Sequence, residues 1–551
     1  MKHLWPWLLA ATSGALLALC LPPYEVDTLA WFALIPLLAA LWFGPRGGRW
    51  HPVKLFGLGY VAGLVFFWMT LFWMTEVTRA GWFVFAFYLA LYPGLWALFA
   101  GIVCRPRDPV DRTPAAIQAC DWLSSIRNLR LAIRAAAAWA GLEWLRGTAF
   151  TGFGWNSYAV ALWKSTVMLQ IADFAGIAGI SFLLVMVNAI LLMTVRRFLY
   201  EASGGIKLRP HFDFTITMAL VVCTFGYGVW RMTAPKPVSQ VVGKNRQVTT
   251  QRGDWLLSIA AVQANIPQDH KWDPAWEKEI LDTYMRLTDQ ALLLKPDLLI
   301  WPEAAVPRPL LDSKDLQDIV AKILGQLRTN FLLGSTRFEP PFAYNSAMLF
   351  NAHGDAQIYD KQHLVPFGEY VPLRNSFPLF AWIVGDEVPS DFDAGTESAV
   401  LTLSRKPYHV GTLICFEDTL GDLARQFAKH GAELLVTITN DGWFRKSAGS
   451  RQHLANAVFR CAETHLPLVR AANTGITCFV DRFGAVTNKL QSRGDTFVEG
   501  VLYGTVPIRL EPPKTFYTLH GDLFALLCLF GALLSIRTHL LTARRRGLSE
   551  S

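Results

Sequence analysis

Eight stretches of this chain are apolar over the length needed to cross a lipid bilayer, and that pattern limits the fold before any other feature does. A spanning helix needs about 20 mostly apolar residues. Such stretches lie at 5–21, 28–43, 55–75, 82–104, 131–148, 176–196, 214–231 and 519–540. The second is short, and the fifth is alanine-rich and carries Arg134, Glu143 and Arg146. Composition agrees: 52% of the 551 residues are hydrophobic and only 17% are charged, where a soluble domain carries about 25%. A disordered or fibrous chain is excluded, and the length calls for at least two domains. The 21 tryptophans suit the belts that line membrane interfaces.

The net charge of +8 raises the possibility of a nucleic-acid partner, but no basic patch with interleaved aromatics accompanies it, so no nucleic acid is expected. The positive residues fall instead in short loops between apolar runs. Arg46, Arg49 and Lys54 follow the second run; Arg105, Arg107, Arg112, Arg127 and Arg130 follow the fourth; Arg196, Arg197, Lys207 and Arg209 follow the sixth; and Arg544, Arg545 and Arg546 follow the eighth. The alternate loops are poor: Pro22 to Asp27 has none, and Thr75 to Gly81 has Arg79 alone. The positive-inside rule then places both termini in the cytoplasm and the long segment from about 232 to 518 outside. The first run resembles a signal peptide, with Leu17-Ala18-Leu19-Cys20 close to a lipoprotein cleavage box. Leu19, however, stands where a small residue is required, so a retained first helix is expected.

These boundaries divide the chain into a seven-helix membrane bundle (1–232), a polar linker (233–253), an extracytoplasmic domain (254–510) and an eighth helix with a basic tail (511–551). In the third part, β-type runs alternate with helical periodicity. Leu256–Val262, Leu298–Trp301, Phe331–Leu333, Ser346–Phe350, His409–Cys415 and Leu434–Thr439 read as strands, and Trp276–Leu294 and Leu316–Leu327 as amphipathic helices. The alternation predicts a layered α/β domain with a core of its own.

Three polar clusters sit at ends of these strands. Trp301-Pro302-Glu303-Ala304 places an acid directly after an apolar strand, although a surface glutamate reads the same way. Tyr359-Asp360-Lys361-Gln362-His363 through Glu369-Tyr370 is dense in polar side chains, yet most lysines are solvated. Leu413-Ile414-Cys415-Phe416-Glu417-Asp418 closes a strand on a cysteine, which is most often a small buried hydrophobe. Two following acids disfavour a thiolate, so a reactive Cys415 requires a cation or base nearby.

The order Glu, Lys, Cys at strand ends resembles the triad of the nitrilase, or carbon–nitrogen hydrolase, superfamily. The resemblance sharpens toward apolipoprotein N-acyltransferases. It is carried by Gln263-Ala264-Asn265-Ile266-Pro267-Gln268 with Lys271-Trp272, Trp301-Pro302-Glu303, Val365-Pro366-Phe367-Gly368-Glu369-Tyr370-Val371-Pro372, Asn440-Asp441-Gly442-Trp443-Phe444 and Arg470-Ala471-Ala472-Asn473-Thr474-Gly475. In the membrane part it is carried by Glu143-Trp144-Leu145-Arg146-Gly147, Thr151-Gly152-Phe153, and Thr515-Phe516-Tyr517 with Gly521-Asp522. One departure is Phe416, where the family usually has Tyr; it costs a hydroxyl beside the nucleophile.

The resemblance implies an αββα sandwich on a multi-pass helical bundle in a bacterial inner membrane, with the sandwich in the periplasm. It implies transfer of an acyl chain from a phospholipid, with phosphatidylethanolamine the expected donor, to the N-terminal amine of a diacylglyceryl-cysteine on an apolipoprotein. Cys415 would form the thioester, Glu303 would act as base, and Lys361 would face the oxyanion. Glu369 and Glu417 would orient Lys361 and the amine, with Phe416, Trp272, Asn345 and Tyr370 as supporting residues. No cofactor is implied.

Among other residues, Cys461 and Cys478 lie outside with Cys415. A disulfide between them is a minority reading, because both sit in apolar contexts. The 12 histidines show no H-x-x-x-H spacing, so no metal is expected, and His363 and His453 read as structural or rim residues. Ser376–Val384 is an apolar run read as a mobile loop that guides acyl chains at the interface. Two rival readings are a membrane-tethered amidase sharing the triad and a transporter with a binding domain. Eight spans argue against the first, and span interiors nearly free of charge argue against the second.

Overall fold

The computed structural model describes residues 4–45, 51–106, 121–150, 152–203, 211–233, 255–371 except 307, 328–329 and 352, then 391–404 and 408–549. The run at Ser376–Val384, residues 234–253 of the expected linker and Cys120 lie outside the described residues; Thr233 is still helical. The chain divides into two units, Met1–Thr233 with Asp522–Ser551, and Ala234–Gly521.

The first unit is helical: α1 (Trp5–Leu19), α2 (Ile35–Phe43), α3 (His51–Thr70), α4 (Arg79–Ile102), α5 (Asp121–Thr148), α6 (Thr166–Leu169), α7 (Ala172–Ser203), α8 (Phe212–Thr233) and a C-terminal helix Leu523–Ser549. Five of the eight expected runs form helices long and apolar enough to cross a membrane: α3, α4, α7 over Ala172–Leu199, α8, and Leu523–Thr542. The first two runs form shorter apolar helices, with a 3-10 turn at Asp27–Trp31 ahead of α2.

The fifth run is part of α5, which starts ten residues earlier than its apolar stretch. Two of its charged residues are satisfied inside the bundle. Glu143 Oε1 accepts from the Tyr158 N–H at 2.7 Å, and Arg146, 3% exposed, donates to the Trp155 carbonyl at 2.8 Å. Polar groups in a span are tolerated when they face the bundle interior and find partners. Helices α3 and α4 cross closely at Gly59, where an added Cβ would stand 2.3 Å from the Pro93 carbonyl oxygen. Close approach at small residues is how spanning helices gain packing without a hydrophobic driving force.

The second unit has two six-stranded sheets. Its strands are β1 (Trp255–Gln263), β2 (Leu298–Ile300), β3 (Asn330–Glu339), β4 (Phe342–Phe350), β5 (Ala356–Asp360), β6 (Leu401–Thr402), β7 (His409–Ile414), β8 (Leu434–Thr439), β9 (Leu468–Ala472), β10 (Cys478–Val480), β11 (Val486–Lys489) and β12 (Gly500–Ile508). The sheet orders are β12-β1-β2-β3-β4-β5 and β11-β10-β9-β8-β7-β6. Each centre is parallel: β1 with β2 and β3 in one sheet, β7 with β8 and β9 in the other. Parallel strands need helical crossovers and coverage on both faces.

The crossovers are α9 (Glu277–Leu293) and α10 (Lys314–Leu327) on the first sheet, and α11 (Gly421–Lys429) and α12 (Gly449–Thr464) on the second. Ile280, Tyr284 and Leu287 of α9 and Leu316, Val320 and Ile323 of α10 pack on Val262, Leu299, Phe331 and Met348. Phe427 of α11 lies 2.6 Å from where a Cβ on Gly411 of β7 would stand. The result is the expected αββα sandwich. Three of the six expected strands, β1, β3 and β4, run longer than their apolar cores, β8 matches, and β2 ends one residue early at Ile300. β7 ends one residue early, at Ile414, because Cys415 leaves the strand conformation with φ +55°.

Candidate active site

Parallel strands send their following loops to one edge, and the carboxyl ends of β2, β5, β7 and β8 bring Glu303, Lys361, Cys415 and Asn440 together. Trp301 N–H still pairs with the Leu332 carbonyl; the chain then turns at Glu303. Gly334 makes room for that turn, since an added Cβ would lie 2.6 Å from the Glu303 Cα. Glu303 is 7% exposed, and both its oxygens are engaged. Oε1 accepts from Asn345 Nδ2 at 2.8 Å, and Oε2 accepts from the Asn440 backbone N–H at 2.9 Å.

Lys361 follows β5 and is buried. Its backbone N–H donates to the Asn345 carbonyl at 2.9 Å. Its Nζ lies 2.9 Å from the Glu369 carboxylate and 3.7 Å from Glu303 Oε1. Burial opposes the charge on this lysine. Glu369, and then Glu303, outweigh burial and hold the ammonium well above the usual lysine range. Glu369 also accepts from Asn345 Nδ2 at 2.9 Å and from the Val365 N–H at 2.8 Å. Asn345 thus ties both carboxylates through its side-chain amide and the lysine backbone through its main-chain carbonyl.

Cys415 is partly exposed and bonded to the Thr439 side chain. Burial of the thiol, and next the charge of Glu303, push its pKa up, with Lys361 and Thr439 opposing. The resting residue is therefore a thiol that needs a base to ionise. Its left-handed backbone is rare for a residue with a side chain and costs on the order of 1–3 kcal/mol. Three contacts hold it there. The preceding Ile414 N–H donates to Glu417 Oε2 at 2.8 Å, the Cys415 carbonyl lies 3.2 Å from His453 Nε2, and His453 Nε2 lies 2.8 Å from Asp418 Oδ1. Arg470 donates to Asp418 at 2.6 Å and to Asp441 at 2.8 Å, and His453 Nδ1 meets Asp441 at 3.0 Å. All four of these side chains are fully buried.

Glu417 was expected to orient Lys361 and the acceptor amine. Its two oxygens accept from the backbone N–H groups of Gln362, His363 and Ile414 and from the Tyr359 hydroxyl, at 2.8–3.1 Å. It clips the loop after β5 to the turn after β7. Burial pushes its carboxyl up to about 7, against Lys361 and these N–H donors. Asn345 is buried, whereas Trp272 is 48% exposed; Tyr370 and Phe416 are partly exposed. Tyr370 closes a tight turn, its carbonyl accepting from the Phe367 N–H at 2.7 Å. Cys461 and Cys478 are free thiols, both fully buried. Among the described residues, no group of three or more His, Cys, Asp or Glu is placed to hold a metal ion.

Comparison with known proteins now bears on this arrangement. Residues 13–190 match the family described as "Apolipoprotein N-acyltransferase N-terminal domain", and residues 258–510 match "Carbon-nitrogen hydrolase". An apolipoprotein N-acyltransferase from Geobacter metallireducens is 35% identical over 545 residues, covering 96% of this chain and 94% of the relative. The chain belongs to the apolipoprotein N-acyltransferase family. Another member, from Chlorobaculum tepidum, is 29% identical over 95% of this chain and 94% of its own. Among solved structures, a carbon–nitrogen hydrolase from Helicobacter pylori G27 aligns at TM-score 0.35 and 15% identity, covering 46% of this chain and 89% of that one. A superfamily protein from Xanthomonas campestris aligns at 0.36 and 17%, covering 45% and 90%.

Glu303, Lys361 and Cys415 were expected together from the sequence, whereas several of their neighbours were not. Thr439 ends β8, and Asn440 follows it at the start of the Asn440-Asp441-Gly442-Trp443-Phe444 motif. His453, expected as a structural or rim residue, lies in the buried charged group behind Cys415. Its signal is faint: Asp418, Asp441, His453 and Arg470 are spread over 53 residues and share no periodicity. Lys271, which precedes the exposed Trp272, is itself only 4% exposed.

Proposed function

We propose that Cys415 carries the acyl group of a two-step N-acyl transfer, with Glu303 as base and Lys361 as the oxyanion's partner. The chain is a bacterial membrane acyltransferase that modifies lipoproteins with a lipid-derived acyl chain. The observation that carries the site reading is the placement of the Lys361 ammonium between the Glu303 and Glu369 carboxylates, with Glu303 and Lys361 both acting electrostatically on Cys415.

In the first step the thiol proton passes to Glu303, and the thiolate attacks the ester carbonyl of the donor. The carbon–sulfur bond forms, the carbonyl electrons move to oxygen, and Lys361 stabilises that oxyanion. Collapse breaks the ester bond; the departing lysophospholipid oxygen takes the proton from Glu303. In the second step the acceptor's N-terminal amine attacks the thioester and loses its proton to Glu303. The carbon–nitrogen bond forms, and the thiolate leaves and takes that proton back. Glu369 fixes Lys361, and Glu417 fixes the two loops that carry Lys361 and Cys415. The donor is proposed to be phosphatidylethanolamine. The site is proposed to lie on the periplasmic side, with both termini cytoplasmic, on the distribution of Lys and Arg among the loops.

Mass spectrometry of the full-length enzyme mixed with phospholipid tests the first step. One acyl mass on the Cys415 peptide is expected. An adduct on another residue, or none with active enzyme, refutes the nucleophile. Addition of a diacylglyceryl lipopeptide should discharge the adduct to the amide; release as free fatty acid would instead indicate a hydrolase.

A further inference from the structure

Glu303 and Glu369 place two negative charges on Lys361, and the buried Glu417 carboxyl, pushed up to about 7, adds part of a third, so the buried site is at least one positive charge short. Proton transfer from Cys415 to Glu303 moves a negative charge without removing one. Buried charge that lacks compensation is costly, so a second cation is to be expected. Lys271 is placed to supply it. It is 4% exposed, its Nζ donates to the main-chain carbonyl of Glu303 at 2.8 Å, and it acts electrostatically on the Glu303 carboxylate and on Cys415.

The segment that carries Lys271 is itself pinned to the ends of β8 and β9. Asn265 N–H donates to the Asn473 carbonyl at 2.7 Å, and Asn440 Nδ2 donates to Gln268 Oε1 at 2.6 Å. A carbonyl tether alone does not require an ammonium, which is among the most expensive groups to bury.

We propose that Lys271 is a positioning residue of the acylation step, whose ammonium balances the second buried carboxylate and so favours the Cys415 thiolate. The proposal rests on the reading of Cys415 as nucleophile. Burial, the largest influence, pulls the Lys271 pKa down to about 8, with Glu303 and then Cys415 opposing. Those are the charged groups that face it from other elements. On its own segment Asp269 and Asp273 are exposed and His270 is partly exposed. With this sign, the ammonium is present below about pH 8 and lost above it.

The test uses full-length enzyme in detergent and follows iodoacetamide labelling of the Cys415 peptide, which reports thiolate independently of any substrate. At pH 7, Lys271→Met should label about tenfold more slowly than wild type or worse, the size expected for loss of one nearby charge. Lys271→Arg should restore labelling, because its charge persists at all accessible pH. Formation of the acyl adduct from phospholipid should slow in wild type as pH passes about 8 and should not slow in Lys271→Arg. Wild-type labelling in Lys271→Met, no rescue by arginine, or a wild-type acylation rate that climbs steadily to pH 10 each overturns the proposal. The last measurement needs no variant. Cys415→Ala is the control: an acyl adduct that survives there refutes the nucleophile reading and leaves the labelling result standing.

Discussion

Replacing Glu369 by glutamine removes one charge from the site and almost no volume, so it isolates what the second carboxylate does. In the native arrangement Lys361 Nζ is 2.9 Å from Glu369 and 3.7 Å from Glu303. With the nearer charge gone, the ammonium should close on Glu303. At an effective dielectric near 20, moving from 3.7 to 2.9 Å strengthens that pair by about 1 kcal/mol. Glu303 is then held more tightly as a carboxylate and accepts the Cys415 proton less readily, worth up to about tenfold in rate. The same movement draws Lys361 away from the oxyanion, and loss of one such donor costs about 100- to 1000-fold. Together the two effects predict a fall in acylation rate of about 1000-fold or more.

Single-turnover formation of the Cys415 adduct, quenched and read by mass spectrometry, measures this directly. A thermal melt checks that the variant is folded. The hydrogen bonds from Asn345 and the Val365 N–H reach a carboxylate in wild type, and glutamine keeps an acceptor for at most one side. A loss of about 1–3 kcal/mol in stability is therefore compatible with the argument. A folded Glu369→Gln enzyme that acylates within tenfold of wild type would refute it, because Lys361 would then be placed by something other than Glu369.

Other outcomes follow from the same geometry. Cys415→Ser and Cys415→Ala should both abolish transfer while leaving the melting temperature near wild type, whereas Cys461→Ala and Cys478→Ala should keep activity; a working Cys415→Ser enzyme would sink the thioester. Glu417→Gln should slow acylation and amine transfer alike, since its amide would turn N–H groups toward the Ile414 or Gln362 N–H and loosen both loops; a selective loss of amine transfer would show that it serves the acceptor instead. His453 is held above its ordinary imidazole range because Asp418 outweighs the opposing effect of burial. The stability this gives is complete below about pH 6.5 and lost as pH rises through the raised value, so His453→Gln should flatten the fall in melting temperature above neutrality, and an unchanged slope would refute the assignment. A reporter active only outside the cytoplasm should work when fused after residue 240 and fail after Arg49 or Arg546; the opposite pattern would invert the topology.

Continuous apolar character made the buried parallel strands legible. Leu298–Ile300 and Leu434–Thr439 are covered on both faces, so every residue is apolar or small, and both read as strands directly. The strands beyond the parallel core were not legible in the same way. All four residues of Val486–Lys489 are exposed, and Cys478–Val480 is too short to show a period. Helix Gly449–Thr464 escaped for the opposite reason: it is buried almost throughout, yet His453, Arg460 and Glu463 lie within it. Arg460 pairs with Glu463 at 2.9 Å, and His453 pairs with two aspartates. Paired charges erase the hydrophobic stripe on which a helix assignment from sequence depends. Glu303, Lys361 and Cys415 could be placed at strand ends from the sequence, but each position alone read equally well as structural, and only the resemblance to the nitrilase triad joined them. The part played by Glu417 could not be read, because adjacency to Cys415 in sequence suggests chemistry while its hydrogen bonds run to backbone.

Why a group of four buried ionic side chains stands behind Cys415, the proposed nucleophile, has a physical answer. Replacing such groups with well-packed apolar residues is often neutral for stability, so stability alone does not account for them. What they adjoin is a residue in a conformation that costs on the order of 1–3 kcal/mol. Apolar packing is non-directional and would let Cys415 relax toward the extended conformation of β7. His453 is directional: its Nε2 meets both the Cys415 carbonyl and Asp418, and Arg470 fixes Asp418 and Asp441 in turn. A ring held on both nitrogens cannot rotate away, so the Cys415 carbonyl keeps its direction and the Sγ keeps its place beside Glu303 and Lys361. Arg470→Met would leave two buried carboxylates against one imidazole, a loss of about 3–5 kcal/mol. For a domain of this size that lowers the melting temperature by about 6–20 °C. At temperatures where the variant is still folded, acylation should also fall, since the nucleophile is no longer held. A destabilised variant with an undiminished rate per folded molecule would show that the buried charges serve the core and not the cysteine.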